Sequence, residues 1–229
     1  MVEIKLQGQS LNYFSIISSV FVAVLLISNT VATKLFSLGP FIFTGAILIF
    51  PISYIFGDVL TEVYGYSRSR KVIWTGFACL IFMSLIYWIV GLLPPALGWE
   101  HQAAYLATLG VVPRIVLASI IGYWAGEFSN SFVLAKLKLV TQGKHLWVRT
   151  ICSTIVGEGV DTTLFIAIAF LGVLPASVLG IAILSAYGFK VLYEIIATPI
   201  TYRVVNLLKK AEGIDTFDYH TRFNPFVLR

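Results

Sequence analysis

Residues 153–163 read Ser-Thr-Ile-Val-Gly-Glu-Gly-Val-Asp-Thr-Thr and lie inside an apolar segment, residues 146–174, that is long enough to cross a bilayer. Two carboxylates of this stretch, Glu158 and Asp161, are therefore expected at membrane depth. An ionisable group costs several kcal/mol there and is usually kept for a ligand, an ion or a proton pathway. The i, i+3 spacing places both carboxylates on one face of a helix.

Two glycines flank the first of these carboxylates. Gly157 and Gly159 leave the helix face open to a neighbouring helix or a flat ligand. A buried polar patch that only joins helices is the alternative interpretation. The pattern recurs, however, because residues 57–62 read Gly-Asp-Val-Leu-Thr-Glu and residues 126–130 read Gly-Glu-Phe-Ser-Asn. This recurrence favours a shared role in binding.

The composition indicates an integral membrane protein. The chain has 229 residues, of which 58% are hydrophobic and 12% charged, whereas soluble domains are roughly half apolar and a quarter charged. The length suits one all-α domain, residues 1–229, that ends in a short polar tail from about residue 211. Its two cysteines lie in apolar segments and indicate neither a metal site nor a disulfide framework.

Six apolar segments predict six transmembrane helices. A short interfacial helix or loop is expected at residues 99–110, and a turn at Gly39-Pro40. The predicted spans are residues 13–32, 41–62, 72–93, 111–134, 146–174 and 178–208.

The basic residues alternate between the predicted loops. They cluster at residues 67–71, at residues 136–149 and just after the last span, whereas residues 94–110 and 175–177 contain no Lys or Arg. By the positive-inside rule, both termini are cytoplasmic, with Lys34 as the exception. This topology also explains the basic composition, so no nucleic-acid partner is expected.

The sixth span carries an intramembrane lysine. Lys190 is expected near the midplane, where transporters bind their substrates. It lies one helical turn before Glu194 and is able to pair with it. We also expect it to point into the bundle and to neutralise an acid on a neighbouring span, Glu127, Glu158 or Asp161.

These polar groups suit a flat, polar heterocycle. A guanine-like base offers adjacent N–H donors that a carboxylate accepts in bidentate fashion, and its faces stack on aromatic rings. The acids, Asn130 and Lys190 lie near several aromatic residues in the sequence, among them Trp124. A proton relay or a cation path would use the same groups, so these alternatives stay open.

Nearly the whole chain resembles a known family. The residues that carry the resemblance are 56–62 followed by Arg68, Arg70 and Lys71, then Gly126-Glu127 with Asn130, Trp147 with Arg149, Asp161-Thr162, and Phe189-Lys190. They are similar to the queuosine precursor transporter family, also called vitamin uptake transporter-like. This resemblance implies uptake of deazaguanine precursors of queuosine across the cytoplasmic (inner) membrane of a prokaryote, with the cyano base, the aminomethyl base and queuine as the open alternatives. It also implies a six-helix fold similar to the substrate-binding subunits of energy-coupling-factor transporters.

The candidate site follows from the acids and from this resemblance together. Arg114 is either an outer gate paired with an acid or an interfacial anchor. The expected partners are a nucleobase-like substrate and membrane lipid, a homodimer is a candidate assembly, and no cofactor or metal is expected. The residues expected to bind substrate are Asp58, Glu62, Trp124, Glu127, Asn130, Glu158, Asp161, Thr162, Lys190 and Glu194.

Two other functional classes are alternatives to a carrier. The chain has no Gly-x-x-x-x-Gly-Lys-Ser/Thr loop, so it does not hydrolyse ATP by that route, but it could dock on a separate ATPase module as a binding subunit for another vitamin-like molecule. An intramembrane enzyme is the less favoured alternative, because no metalloprotease motif is present. The three histidines, His101, His145 and His220, fall in predicted loops or the tail.

The charge alternation predicts the topology directly. Reporter fusions near Pro95 and after Leu174 should report the outside, and fusions near Ser69, Gly143 and Arg229 should report the cytoplasm. A cytoplasmic signal near Pro95 would exclude the six-span arrangement.

Overall fold

The computed structural model describes residues 12–38, 41–172, 175–219 and 221–226. Five helical stretches of the described residues are long and apolar enough to cross a membrane: α1, α3, α4 together with α5, α6, and α7 from Val178. This confirms an α-helical membrane protein, while the cytoplasmic location of both termini stays a prediction. The helices are α1 (Phe14–Val31), α2 (Phe50–Val59), α3 (Tyr66–Leu92), α4 (Gln102–Thr108), α5 (Val112–Val140), α6 (Leu146–Phe170) and α7 (Ala176–Glu212).

The predicted second span, residues 41–62, is wrong as a single helix. Strands β1 (Leu35–Leu38) and β2 (Phe41–Thr44) form an antiparallel hairpin, and the predicted turn at Gly39-Pro40 lies outside the described residues. A 3-10 turn (Gly45–Leu48) leads into α2, which ends in a π-helical turn (Leu60–Tyr64). An apolar run of this length does not distinguish these pieces from one helix, because hydropathy reports burial rather than backbone geometry.

The short helix α2 lies in the middle of the bundle. It packs against α1, α5 and α7, and every side chain from 57 to 64 is buried. At about 1.5 Å per residue, α2 and the π-helical turn together span roughly 22 Å, less than the ~30 Å hydrocarbon core. Irregular backbone at membrane depth is tolerated where protein covers it. Asp58 and Glu62 therefore face other helices rather than lipid.

The predicted basic loops are largely helical. Helix α3 begins at Tyr66, so residues 67–71 form its first turns, while Lys138 lies at the end of α5 and Arg149 in the first turn of α6. Lys and Arg are good helix formers, so the helices continue past the apolar segments into the charged ones. The short element expected at residues 99–110 is confirmed as helix α4.

The C-terminal tail packs back on α3. The indole N–H of Trp74 donates to the Pro225 carbonyl at 2.8 Å, and the Tyr66 hydroxyl donates to the Phe223 carbonyl at 3.1 Å. Arg70 donates to the carbonyls of Arg222 and Asn224, both at 2.7 Å. These bonds fix the tail along the first turns of α3.

Helices α1 and α7 meet at one end of the bundle. The Glu212 carboxylate, at the end of α7, accepts hydrogen bonds from the backbone N–H groups of Asn12 at 3.1 Å and Tyr13 at 2.7 Å. A carboxylate at a helix N-terminus satisfies orphan donors and the positive end of the helix dipole. The first helix therefore starts where the last one ends.

Helices α5 and α6 approach each other closely through glycines. A Cβ atom at Gly157 would lie 2.7 Å from the Asn130 Cβ and 2.9 Å from the Gly126 carbonyl oxygen. The expectation that Gly157 opens this face to a neighbouring helix is thus confirmed. At Gly159, by contrast, a Cβ would meet only the Tyr187 ring, at 3.6 Å, which is an ordinary contact.

This difference makes the two glycines a matched pair for mutation. Inside a helix, alanine is more favourable than glycine by about 1 kcal/mol of helix propensity. Gly159→Ala should therefore leave the thermal midpoint in detergent unchanged or raise it. Gly157→Ala should lower the midpoint by roughly 2 to 10 °C, because overpacking costs about 1–3 kcal/mol. Equal midpoints for the two variants would contradict the close helix contact.

Candidate functional site

A buried ion triad joins α6 and α7. The Lys190 Nζ lies 2.7 Å from Glu158 Oε2 and 2.8 Å from Asp161 Oδ2. Lys190 is 7% exposed, and the two acids are 1% and 2% exposed. The prediction that Lys190 neutralises an acid of a neighbouring helix is confirmed. Pairing of Lys190 with Glu194, in contrast, is not among the salt bridges of the described residues.

The triad satisfies the lysine completely. Besides its two carboxylate partners, Lys190 donates to Thr162 Oγ1 at 3.1 Å, which accounts for its third N–H. The Phe50 ring lies over the ammonium, with 4.4 Å between Nζ and the ring centroid. Because two carboxylates share one ammonium, this site is electron-rich and has acceptor capacity for further donors.

A cavity of about 240 Å³ ends on two members of this triad, Asp161 and Lys190. It lies between the end of α1, the β-hairpin, the end of α6 and the start of α7. Ligand sites for drug-sized molecules are roughly 300–1,000 Å³, so this volume suits a single small ring system. Its aromatic residues are Phe43, Phe50, Phe165 and Phe170, and its polar residues are Ser28, Asn29, Thr44, Ser119, Asp161, Thr162 and Lys190.

Asn29 is a site residue that the sequence interpretation did not select. Its Nδ2 donates to the Leu25 carbonyl at 3.0 Å, but its Oδ1 is buried without a hydrogen-bond partner, as is the Ser28 hydroxyl. A buried acceptor without a donor is unfavourable unless a ligand or water completes it. The available signal was the polar run Ser28-Asn29-Thr30 at the end of an apolar span.

A second acidic group lies deeper in the bundle and does not line the cavity. Asn130 Nδ2 donates to Asp58 Oδ1 at 2.7 Å, which ties α5 to α2. Glu127 accepts a bond from Ser131 at 3.4 Å on the same helix. Glu194 of α7 is 2% exposed. Asp58, Glu127, Asn130 and Glu194 are hereafter the inner carboxylate cluster.

An ionic cluster closes the other end of the same helices. Glu62 Oε1 lies 2.8 Å from Arg149, 2.7 Å from Lys209 and 3.4 Å from Lys138. Asp215 of the tail adds contacts of 2.6 Å to Lys138 and 2.9 Å to Lys209. The structure thus separates Glu62 from the cavity, since about 18 Å of α6 separates Arg149 from Asp161.

The partners of Asp215, the tail carboxylate of this cluster, stabilise its ionised form. Partial burial by itself would raise the pKa of Asp215, but hydrogen bonds and charge from Lys138 and then Lys209 outweigh it and hold the pKa below its usual value. Asp215 therefore favours the folded tail at neutral pH, and this contribution is lost when the pH falls through its lowered pKa.

Comparison with known proteins identifies the family. A family model described as "putative vitamin uptake transporter" matches residues 44–204. The chain belongs to this family. Its matched region contains both acidic groups and the lysine of the triad. The family is one of transporters, so the protein is not an enzyme, and it is a multi-pass protein of a bacterial inner membrane.

Two curated relatives are named for one substrate class. The chain is 31% identical over 156 residues to a "probable queuosine precursor transporter" of Bacillus subtilis (strain 168), covering 68% of each chain. It is 28% identical over 121 residues to the "queuosine precursor transporter" of Escherichia coli (strain K12), covering 53% of this chain and 52% of that protein. No solved structure matches, so the expected similarity to energy-coupling-factor subunits stays a prediction.

Two predicted residues of this transporter lie elsewhere. Trp124 packs between Phe128, at 5.9 Å, and Phe226, at 5.7 Å between ring centroids, and it does not line the cavity. Arg114 is exposed and donates to the Leu171 carbonyl at 3.4 Å. None of the salt bridges among the described residues includes Arg114, so its pairing with an acid is wrong for this conformation. Its role as an interfacial anchor stays a prediction.

The triad makes a prediction about stability. Lys190→Met leaves two carboxylates without a cation, and breaking a buried pair costs about 3–5 kcal/mol. The thermal midpoint in detergent should fall at pH 8 and recover as the pH is lowered, because protonation removes the uncompensated charge.

A double variant provides the control. Adding Asp161→Asn to Lys190→Met removes one of the two uncompensated negative charges. The double variant should therefore have a higher thermal midpoint at pH 8 than Lys190→Met alone. A Lys190→Met protein as stable as wild type at pH 8, or a double variant with no recovery, would show that Lys190 does not neutralise these acids.

Proposed function

We propose that this transporter imports queuosine precursors, bases of the 7-deazaguanine type, and binds them in the cavity that ends on the triad. The observation that carries this proposal is an aromatic-lined cavity of about 240 Å³ with a carboxylate and an ammonium at its end. The names of the two relatives support the substrate class. The polar end of the cavity suits a flat base rather than a lipid tail, because a hydrocarbon tail offers no donors to Asp161.

The polar groups complement the edge of a guanine-like base. Two adjacent N–H groups of such a base would donate to the Asp161 carboxylate in bidentate fashion. The neighbouring carbonyl would accept from Lys190, and Asn29 Oδ1 offers a further acceptor for an N–H group. The rings of Phe43 and Phe50 supply π-faces for stacking.

Binding would exchange partners within the triad. All three N–H groups of Lys190 are used by Glu158, Asp161 and Thr162. A base that donates to Asp161 competes with Lys190 for that carboxylate, and Lys190 then keeps Glu158 and turns one N–H to the base. Two acids around one lysine allow this exchange without leaving the ammonium unpaired.

A binding subunit that docks on an ATPase module is the second candidate, with another vitamin-like molecule as its ligand. The description of the family as vitamin uptake transporters favours it. The two candidates differ in what the purified protein does alone. A self-sufficient carrier exchanges labelled base across a liposome membrane without ATP, whereas a docked subunit binds the ligand but does not exchange it.

The proposed function is tested by uptake in cells. A bacterium that lacks both precursor synthesis and its own importer should regain queuosine in its transfer RNA at low external precursor when this chain is expressed. Absence of queuosine, with the protein present in the membrane, would contradict import.

Two neighbouring threonines and an acid test the site. Thr162 is buried at the triad, whereas Thr163 is exposed on another face of α6. Asp161→Asn should weaken binding by roughly ten- to hundred-fold, because a charge-assisted hydrogen bond contributes about 1.5–3 kcal/mol. Thr162→Val should weaken binding measurably, and Thr163→Val should match wild type. Wild-type affinity in Asp161→Asn would place the ligand elsewhere.

A further inference from the structure

The inner carboxylate cluster is not neutralised by any cation that the structure describes. Asp58, Glu127 and Asn130 are 0% exposed and Glu194 is 2% exposed. The lysine of the triad forms salt bridges with Glu158 and Asp161. The cations of the ionic cluster form salt bridges with Glu62 and Asp215. Three ionised carboxylates without a counter-ion would be prohibitively costly at this depth.

Several buried oxygens of the cluster have no hydrogen-bond donor, and protonation of the acids would supply donors. One oxygen of each acid is buried without a partner: Asp58 Oδ2, Glu127 Oε2 and Glu194 Oε1. Asn130 Oδ1 is likewise an acceptor without a donor. A carboxylic acid carries an O–H donor that a carboxylate lacks, so protonation supplies the missing donors in a region rich in acceptors.

The titratable groups that face the cluster come from five of the helices around it and from the π-helical turn. Helix α1 contributes no titratable side chain. The Tyr123 hydroxyl lies near Glu127 without a well-formed hydrogen bond. The other facing groups are Tyr54 of α2, Glu62 of the π-helical turn, Tyr66 of α3, Glu158 and Asp161 of α6, and, beyond these two acids, Lys190 of α7.

A metal ion is a poorer occupant than protons. Within the described ranges, no group of three or more Asp, Glu, His or Cys side chains is arranged to hold a metal ion. A metal ion needs several oxygens converging at about 2–2.6 Å, whereas protons bind one carboxylate at a time. The spread of the acids over α2, α5 and α7 therefore fits protons.

The cluster lies next to Asp161, which lines the cavity. A Cβ atom at Gly126, next to Glu127, would lie 2.6 Å from both the Asp161 Cβ and the Tyr54 hydroxyl, so these groups converge on one point. A side chain at Gly57, next to Asp58, would collide with the Glu127 carboxyl group. A change of charge at Asp161 therefore changes the electrostatic potential at the nearby Glu127 and, on α2, at Asp58.

We propose that the inner carboxylate cluster is the proton-binding site that couples import to inward proton movement. A carboxylate of the cluster takes up a proton from the external solution and releases it to the cytoplasm as substrate is released, so proton and base move in the same direction. The proposal rests on the proposed import function. It adds the coupling ion and the residues that carry it.

The experiment uses the full-length protein in liposomes with labelled 7-cyano-7-deazaguanine and, separately, the aminomethyl base. Exchange at equal pH on both sides tests import itself. An external solution one pH unit more acidic, with the membrane potential clamped, should drive accumulation of up to about tenfold per coupled proton, because one pH unit and a tenfold concentration ratio are equal in free energy. A protonophore should abolish it, and a pH dye in the lumen should report acidification when base is added.

Variants assign the effect to the cluster. Glu127→Gln and Asp58→Asn are near-isosteric and mimic the protonated acids, so both should lose accumulation relative to exchange. Glu100→Gln, which neutralises an exposed acid in the loop before α4, is the matched control and should accumulate like wild type.

The outcomes separate the two proposals. Exchange by the wild type without accumulation or lumenal acidification would overturn proton coupling and leave import standing. Failure of both bases to exchange would overturn import and coupling together. Undiminished accumulation in both Glu127→Gln and Asp58→Asn would overturn the assignment to this cluster, and if these variants do not fold, the wild-type gradient experiment still decides the coupling.

Discussion

The pairing of Lys190 with Glu158 and Asp161 is the interaction on which the arrangement of this transporter depends. A charge at membrane depth is tolerated only with a partner. Here the lysine lies on α7 and both acids lie on α6. The two helices must therefore meet at one depth, with both acids turned to one side. That meeting point forms the end of the cavity. The i, i+3 spacing of the acids lets one lysine contact both, and the glycine contact with α5 keeps the same face of α6 turned inward.

The short helix α2 has a different physical basis. It is too short to cross the bilayer, and it is covered on its polar side by α1, α5 and α7. Protein rather than lipid surrounds α2, so the acids Asp58 in α2 and Glu62 in the π-helical turn are tolerated there. For the same reason the backbone departs from regular geometry without exposing polar groups to hydrocarbon. The most irregular part of the chain therefore lies in the middle of the bundle and links the cavity end to the ionic cluster.

The two ends of the bundle are built in contrasting ways. At the cavity end, aromatic side chains and a β-hairpin surround an open volume. At the other end, Glu62 and Asp215 bind three cations from α5, α6 and α7, the tail packs along α3, and Glu212 holds the start of α1. Charged and hydrogen-bonded contacts thus close one end of this conformation, while the other end keeps room for a small molecule.

The sequence by itself determined the class of protein, five of the long helices, the shared face of Glu158 and Asp161 and an inward lysine, because apolar length and helical periodicity depend only on local order along the chain. The tertiary structure alone decided that residues 41–62 form a hairpin and a short covered helix, since hydropathy is the same for both. It also decided that Lys190 pairs across helices rather than with Glu194, that Trp124 turns to the tail, and that Asn29 reaches the cavity. A polar residue on a long apolar helix has several faces available, and only the packing of neighbouring helices selects the one that is used.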